Sequence, residues 1–125
     1  MTTCLVVDDS SVVRKVARRM LEKLSIEVRE AENGVVAMER CTEAMPDAIL
    51  LDWNMPVATG PEFLKALRGR EDGAAPRVIF CTTENDLDHI AAALESGADE
   101  YIMKPYDADI LREKLEAVGV LEAAA

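Results

Sequence analysis

The chain has 125 residues, of which 14 are basic and 24 acidic, so its formal net charge is −10. This charge argues against duplex DNA and anionic membrane surfaces as partners, because both attract clustered lysine and arginine. Half of the residues are hydrophobic, enough for the core of one domain over residues 1–125, and no stretch approaches the roughly 20 apolar residues of a membrane span.

Short apolar runs alternate along the chain with segments in which apolar residues recur at helical spacing. The runs predict five strands, at Cys4–Asp8, Glu27–Ala31, Asp47–Asp52, Arg77–Thr82 and Asp99–Met103. The helical spacing predicts five helices, with inward faces within Val12–Leu24, Ala37–Met45, Phe63–Leu67, Leu87–Leu94 and Ile110–Val118. Alternating strands and helices imply a parallel sheet covered on both faces, which the right-handed crossover rule makes a doubly wound α/β sandwich.

Particular residues mark the ends and edges of these elements. We expect Ser10 or Ser11 to cap the first helix, Asn33 to cap the second, and Gly97 to end the fourth. Gly60 and Pro61 are expected to open the third helix. The polar face of the first helix carries Arg14, Lys15, Arg18, Arg19 and Glu22. The short, polar second strand is predicted at an edge of the sheet, and Arg70–Ala75 is interpreted as a polar connection.

The cysteines indicate a reducing environment. Cys4, Cys41 and Cys81 are odd in number, lack CxxC spacing and stand among apolar neighbours, so we expect buried, reduced thiols. The two aspartates at positions 8 and 9 come too early for a signal peptide. These features predict a cytoplasmic protein.

Polar side chains follow four of the five predicted strands. The first strand ends at Asp8 and Asp9, and the third ends at Asp52. The fourth ends at Thr82 and Thr83, and the fifth is followed at once by Lys104 and Pro105. Because ligands of such sheets bind at the carboxyl ends of the strands, we expect these side chains to form one site.

Three carboxylates at one edge repel each other unless a cation compensates them. A hard divalent ion with oxygen ligands meets this need, and Mg²⁺ suits a site that retains several waters. Lys104 adds a second, fixed positive charge. Together, Mg²⁺ and a lysine suit a phosphoryl group, whose oxygens both can neutralise.

The segments VVDDSS, LLDWNMP, FCTTE and YIMKP, in this order and spacing, resemble the receiver domain of bacterial two-component response regulators. The resemblance covers essentially the whole chain and is greatest to the single-domain regulators of chemotaxis. It implies a sheet of order 2-1-3-4-5 and a monomer without an output domain. It also implies a phosphorylation switch that is loaded by a sensor histidine kinase or phosphotransfer protein. The downstream partner is then expected on the face of the fourth helix, fifth strand and fifth helix, where Ala91–Ala93 offer an unbulky side.

By position, Asp52 matches the family's phosphoacceptor, which attacks the phosphoryl group of a phosphohistidine. Asp9 and Asp52 match direct Mg²⁺ ligands, with the backbone carbonyl of Asn54 as a third, while Asp8 matches the acid that reaches the metal through water. Lys104 matches the cation that contacts the acceptor or the phosphate, and the Lys104–Pro105 bond is expected to be cis.

Thr82 and Tyr101 match the switch residues, a hydroxyl that binds the phosphate and an aromatic ring that changes rotamer. Two positions depart from the family pattern. Thr59 stands where an aspartate is common before the glycine, and Thr83 replaces a very small residue and is expected to crowd access to the phosphate.

Other functions remain open at this point. Within the family, the chain is alternatively a phosphorelay intermediate or a phosphate sink. A Mg²⁺-dependent aspartyl phosphatase needs a second acid two residues after its nucleophile, but Asn54 follows Asp52 and Ser10 follows Asp8 at that spacing. A flavodoxin-like carrier is disfavoured because the acidic edge would repel the phosphate of FMN.

Overall fold

A computed structural model describes residues 2–53, 55, 59–83 and 87–121. The strands are β1 (Thr3–Val7), β2 (Glu27–Ala31), β3 (Ala48–Asp52), β4 (Arg77–Thr82) and β5 (Glu100–Met103). The helices are α1 (Ser11–Lys23), α2 (Gly34–Glu43), α3 (Gly60–Arg68), α4 (Leu87–Glu95) and α5 (Ala108–Ala117). Each predicted strand is present, and its ends differ from the prediction by at most one residue.

The strands form one parallel sheet in the order β2-β1-β3-β4-β5, which confirms the predicted doubly wound fold and places β2 at an edge. All five residues of the central strand β3 are buried. One core cluster joins the sheet to α1 and α5, and the other joins it to α2, α3 and α4. Among the described residues, every helix is too short or too polar to cross a bilayer.

Side-chain caps fix where the helices begin. The Ser10 hydroxyl accepts a hydrogen bond from the N–H of Val13, and the Asn33 side chain accepts one from Val36, as the sequence predicted. Thr59 caps α3, and Thr59 and Glu62 each bind the other's backbone N–H. The departure at Thr59 therefore has a local function, since it holds the start of the helix that follows Asp52.

Several residues predicted to face the core are exposed. Val12 and Val16 on α1 have 67% and 47% of their surface exposed, and Leu94 and Ile110 have 47% and 40%. Helical spacing shows which residues share a face, but the sheet covers only part of each face, so the outer positions stay in contact with solvent. Ala44 is also exposed, because α2 ends at Glu43 and Ala44 is extended.

Two predictions about small side chains have different outcomes. Cys4, Cys41 and Cys81 are buried and free, as expected, and burial raises the pKa of Cys4 and of Cys81 to about 12. Ala91 and Ala92 are exposed, but Ala93 is buried against the sheet with 2% of its surface accessible. The unbulky side of α4 is therefore narrower than predicted.

Arg68, the last residue of α3, ties together the chain on both sides of β4. Its guanidinium donates hydrogen bonds to the carbonyl oxygens of Gly73 (2.7 Å), Pro76 (2.9 Å) and Gly97 (2.9 Å). It also donates to Oδ2 of Asp99 over 3.1 Å. One side chain thereby fixes both the connection before β4 and the turn before β5.

Candidate functional site

Three carboxylates meet at the carboxyl edge of the sheet. Asp8 and Asp9 directly follow β1, and Asp52 is the last residue of β3, the neighbour of β1. Oxygen atoms of the three carboxylates, one from each, lie within 4.8 Å of one another. Asp8 and Asp52 are buried, with 4% and 8% of their surface accessible, whereas Asp9 is exposed. The structure thus brings the three predicted acids together and leaves the cluster open on the side of Asp9.

Lys104 pairs with both buried carboxylates. It follows β5, and its backbone N–H donates to the carbonyl oxygen of Thr82 over 2.8 Å. Its Nζ donates to Oδ2 of Asp8 over 2.9 Å and to Oδ1 of Asp52 over 3.0 Å. The Lys104–Pro105 peptide bond is cis, as the resemblance implied. The predicted lysine therefore lies directly at the predicted phosphoacceptor.

The charged groups at this edge influence one another. Burial raises the pKa of Asp52, and the negative charges of Asp8 and Asp9 raise it further. The hydrogen bond from Lys104 lowers this pKa, but it offsets only part of the rise. Burial alone would lower the pKa of Lys104, but its hydrogen bonds to Asp8 and Asp52 outweigh burial and raise that pKa. One ammonium therefore pairs with two of the three acids, and a further cation would be stabilised here.

The donor set fits a hard divalent cation. All three acids offer carboxylate oxygens, which are the preferred ligands of such ions. The exposed side of the cluster leaves room for water ligands, as Mg²⁺ requires. Asn54, whose backbone carbonyl was predicted as a further ligand, lies outside the described residues.

Helix α3 begins directly against the end of β3. The N–H of Gly60 donates to the carbonyl oxygen of Trp53 over 3.1 Å. A Cβ atom on Gly60 would lie 2.5 Å from the carbonyl oxygen of Asp52 and 2.7 Å from Cε1 of Phe80. Glycine is therefore required at this position by a close approach of two backbone segments, and this approach supports the peptide of Asp52.

The two predicted switch residues lie on neighbouring strands. Thr82 is buried at the end of β4, one residue beyond Cys81, which pairs with Asp52. Tyr101 is partly buried on β5, and Nζ of Lys114 lies 4.6 Å from the centroid of its ring. The structure thus places Thr82 at the edge that carries the acids and Tyr101 beside α5.

An apolar groove of about 370 Å³ lies between α1 and the residues that follow β4 and β5. Its lining consists of Val12, Val13, Val16, Ala17, Met20, Thr83, Lys104, Pro105 and Tyr106. Thr83, the second departure from the family pattern, is exposed here. Sequence reasoning missed this groove because it assigned the apolar residues of α1 to the core.

Sequence reasoning also missed the position of Arg14. This residue was placed on the polar face of the first helix, but its Nη1 donates to the backbone carbonyl oxygen of Asp8 over 2.6 Å. A hydrogen bond to a backbone carbonyl leaves no mark in the sequence, because every residue type has that acceptor. The structure was needed to identify Arg14 as a neighbour of the acidic cluster.

Comparisons with known proteins agree with this geometry. The family model of the response regulator receiver domain matches residues 4–116. The chemotaxis protein CheY1 of Helicobacter pylori is 39% identical over 116 residues, covering 91% of this chain and 94% of that protein. A CheY homolog of Campylobacter jejuni is also 39% identical over 116 residues, covering 91% of this chain and 89% of its own length.

A solved structure extends the agreement to the fold. The chemotaxis response regulator CheY4 of Vibrio cholerae superposes with a TM-score of 0.90 and 32% identity, covering 94% of this chain and 98% of that one. The match to the family model, the relatives and the sheet order all agree with the resemblance seen in the sequence. The chain belongs to the response regulator receiver domain family.

Proposed function

We propose that this chain is a phosphorylation switch in which Asp52 accepts a phosphoryl group from a phosphohistidine of a sensor histidine kinase or phosphotransfer protein. The observation that carries the proposal is the convergence of Lys104, Asp8 and Asp9 on the carboxylate of Asp52. Asp8, Asp9 and Asp52 would hold Mg²⁺, with Asn54 contributing its backbone carbonyl. The bound ion supplies positive charge that neutralises phosphoryl and carboxylate oxygens.

A carboxylate is a weak nucleophile, so its position and its charge environment have to provide most of the catalysis. An oxygen of Asp52 forms the new bond to phosphorus, while the bond from phosphorus to the imidazole nitrogen breaks and its electron pair stays on the nitrogen. Asp52 is held rigidly by the buried strand β3, and Lys104 is poised to pair with a phosphoryl oxygen. The product is an acyl phosphate that water hydrolyses, so the modification is transient.

The apolar groove favours a protein as the phosphodonor. Val12 and Val16 are exposed beside Lys104. A small anionic phosphodonor gains nothing from apolar contacts, whereas a protein surface that presents a phosphohistidine gains from covering them. In this proposal the chain assists its own phosphorylation and dephosphorylation and is not an enzyme that acts on other substrates.

The output surface in this proposal is the face formed by α4, β5 and α5. Phosphate adds about −1.5 to −2 charges beside Thr82, and the threonine hydroxyl is a suitable donor to its oxygens. Tyr101 on the neighbouring strand then changes its position, which alters the surface that a partner contacts.

The names of the relatives from Helicobacter, Campylobacter and Vibrio favour a role in chemotaxis. A phosphorelay or phosphate-sink role is the alternative. The cytoplasmic location and the monomeric state stay predictions.

A direct test is phosphorylation with a small donor such as acetyl phosphate. In the presence of Mg²⁺ the protein should acquire one phosphoryl group that is stable to acid and labile to base, as an acyl phosphate is. Asp52→Asn should abolish the label, and chelation of Mg²⁺ should prevent it. A label that persists in Asp52→Asn would place the acceptor elsewhere, with Asp8 and Asp9 as the next candidates.

A further inference from the structure

Arg14 on α1 contacts the acidic cluster through the backbone. Its Nη1 donates to the carbonyl oxygen of Asp8 over 2.6 Å, and its Nε donates to Oε1 of Glu30 over 3.0 Å. The Arg14 side chain is 16% exposed and that of Glu30 28%. Hydrogen bonds of charged groups are stronger than neutral ones, and the planar guanidinium fixes the directions of both. Arg14 is thus held between β2 and the peptide that follows Asp8.

The carbonyl bound by Arg14 belongs to the peptide that joins Asp8 to Asp9. Because a peptide unit is planar, holding its oxygen also fixes the Cα atom of Asp9. The other groups of Asp8 are fixed as well: its N–H donates to Ala31 over 3.1 Å, and its carboxylate accepts from Ser10 (2.9 Å) and Lys104 (2.9 Å). Asp9 differs, since its exposed carboxylate has no hydrogen-bond partner in the part of the chain that the structure describes. The backbone that Arg14 holds therefore fixes the Cα–Cβ bond of Asp9, from which its carboxylate reaches toward the cluster.

We propose that Arg14 is a positioning residue for metal binding, acting through the Asp8–Asp9 peptide and held in place by Glu30. This inference rests on the proposed function, because it presumes that Asp8, Asp9 and Asp52 hold Mg²⁺. Groups that orient metal ligands typically change the affinity for the metal by about 10- to 100-fold. The positive charge of the guanidinium has the opposite effect on the affinity, because it repels a cation and so weakens metal binding. The sign of the effect therefore separates positioning from simple electrostatics.

Arg18 provides a matched comparison on the same helix. Its Nε donates to Oε2 of Glu30 over 2.8 Å, so it shares the partner of Arg14. Among the described residues it makes no hydrogen bond to Asp8. Arg14→Lys and Arg18→Lys both keep the charge and lose the planar guanidinium. They differ in that only the first removes the bond to the Asp8 carbonyl.

The experiment is a titration with Mg²⁺ at constant ionic strength, followed by the fluorescence of Trp53, the neighbour of Asp52. We expect Arg14→Lys to raise the dissociation constant about 10-fold and Arg18→Lys to leave it within about twofold. Arg14→Met should also bind more weakly, although it removes a repelling charge. Equal affinities for the two lysine variants, or tighter binding by Arg14→Met, would overturn the positioning role.

Two further variants keep the outcome interpretable. If Arg14→Lys unfolds, Glu30→Gln tests the same idea, because it removes the charge that anchors Arg14 and leaves the arginine in place. This variant should weaken Mg²⁺ binding, and unchanged affinity would refute the inference. Asp9→Asn tests the proposed function itself. If the wild-type protein does not saturate, or if Asp9→Asn binds as tightly as the wild type, the metal site is wrong and the role of Arg14 fails with it.

Discussion

The Nζ of Lys104 donates a hydrogen bond to Oδ1 of Asp52 over 3.0 Å, although 52 residues separate the two in the chain. Lys104 follows β5 and Asp52 ends β3, and β4 lies between these strands. The same ammonium also binds Asp8, which follows β1. A single cation therefore links the carboxyl ends of three strands, and its removal tests how strongly the acids depend on compensation.

We expect Lys104→Met to lower the free energy of unfolding by about 3 kcal/mol in the absence of Mg²⁺, because it leaves two buried carboxylates unpaired. Added Mg²⁺ should stabilise this variant more than the wild type, since it replaces the lost charge. Urea unfolding in chelator and in saturating Mg²⁺ measures both quantities. Lys15→Met, which removes an exposed charge from α1, is the control. An equal gain from Mg²⁺ in all three proteins would show that Lys104 does not compensate the acids.

Val12 is expected to contribute to phosphotransfer from a protein donor only. Val12→Gln introduces a better helix former and makes the rim of the groove polar. The rate of transfer from the cognate kinase should fall about fivefold to tenfold, as for an interface residue whose truncation costs about 1 kcal/mol, whereas phosphorylation by acetyl phosphate should not change. Val35→Gln is the control, because Val35 is 50% exposed but lies on α2. If both donors were affected equally, Val12 would act on the chemistry and not on docking.

Gly60→Ala should disturb the end of β3. Its Cβ atom would lie 2.5 Å from the carbonyl oxygen of Asp52, so the backbone has to shift. We expect a loss of about 2–3 kcal/mol in the free energy of unfolding together with slower phosphorylation of the folded protein. Gly69→Ala is the matched control, because its Cβ atom would lie 3.5 Å from its nearest neighbour and its backbone is right-handed helical. Normal phosphorylation of Gly60→Ala would show that the site tolerates movement of this peptide.

Glu30 predicts a pH dependence of stability. Burial acts to raise the pKa of Glu30, but hydrogen bonds from Arg18 and Arg14 outweigh it, so the pKa lies below its usual 4.5. The folded state thus binds the proton of Glu30 less tightly than the unfolded state does. The stabilisation from its pairing with the arginines is therefore present above pH 4.5 and is lost as the pH falls through the folded pKa. Glu30→Gln should therefore cost about 1–2 kcal/mol at pH 7 and less at pH 3. Urea unfolding of both proteins at the two pH values checks this, and a difference that does not depend on pH would contradict it.

Thr82 and Tyr101 are expected to affect output more than phosphorylation. Thr82→Ala should still accept a phosphoryl group at Asp52 but bind its partner more weakly, and substitution of Tyr101 should do the same. Amide exchange with and without beryllofluoride, a mimic of the acyl phosphate, should differ at the ends of β4 and β5. If protection changed only in α1 and α2, the output face would be misplaced.

The sequence was sufficient for the architecture because each strand is buried on both faces or lies at a defined edge. In a chain where strand-like runs alternate with helical spacing, an uninterrupted apolar run such as Ala48–Leu51 indicates a buried strand. The meeting of Asp8, Asp9, Asp52 and Lys104 followed from the rule that strand ends share an edge. The roles of these residues came from the family resemblance and not from their spacing.

Other features depend on surfaces and backbone atoms that the sequence does not specify. The exposure of Val12 and Val16 depends on how much of α1 the sheet covers, which helical spacing does not reveal. The bond from Arg14 to the carbonyl of Asp8 depends on the path of the loop before α1. The close approach at Gly60 was likewise invisible, because glycine before proline was already explained as a helix start.

The connection between α3 and β4, interpreted from its sequence as a polar linker, is held by a residue that precedes it. Arg68 binds two of its carbonyl oxygens, and every amino acid supplies that group. Exposed positions such as Glu71, Ala74 and Ala75 are therefore free to vary during evolution or to accept an inserted tag. Gly73 is not, because a Cβ atom there would collide with the carbonyl oxygen of Leu67. A protein engineer who alters this loop should preserve Arg68 and Gly73, keep Arg70, which donates to Thr42 on α2, and place changes at the exposed positions.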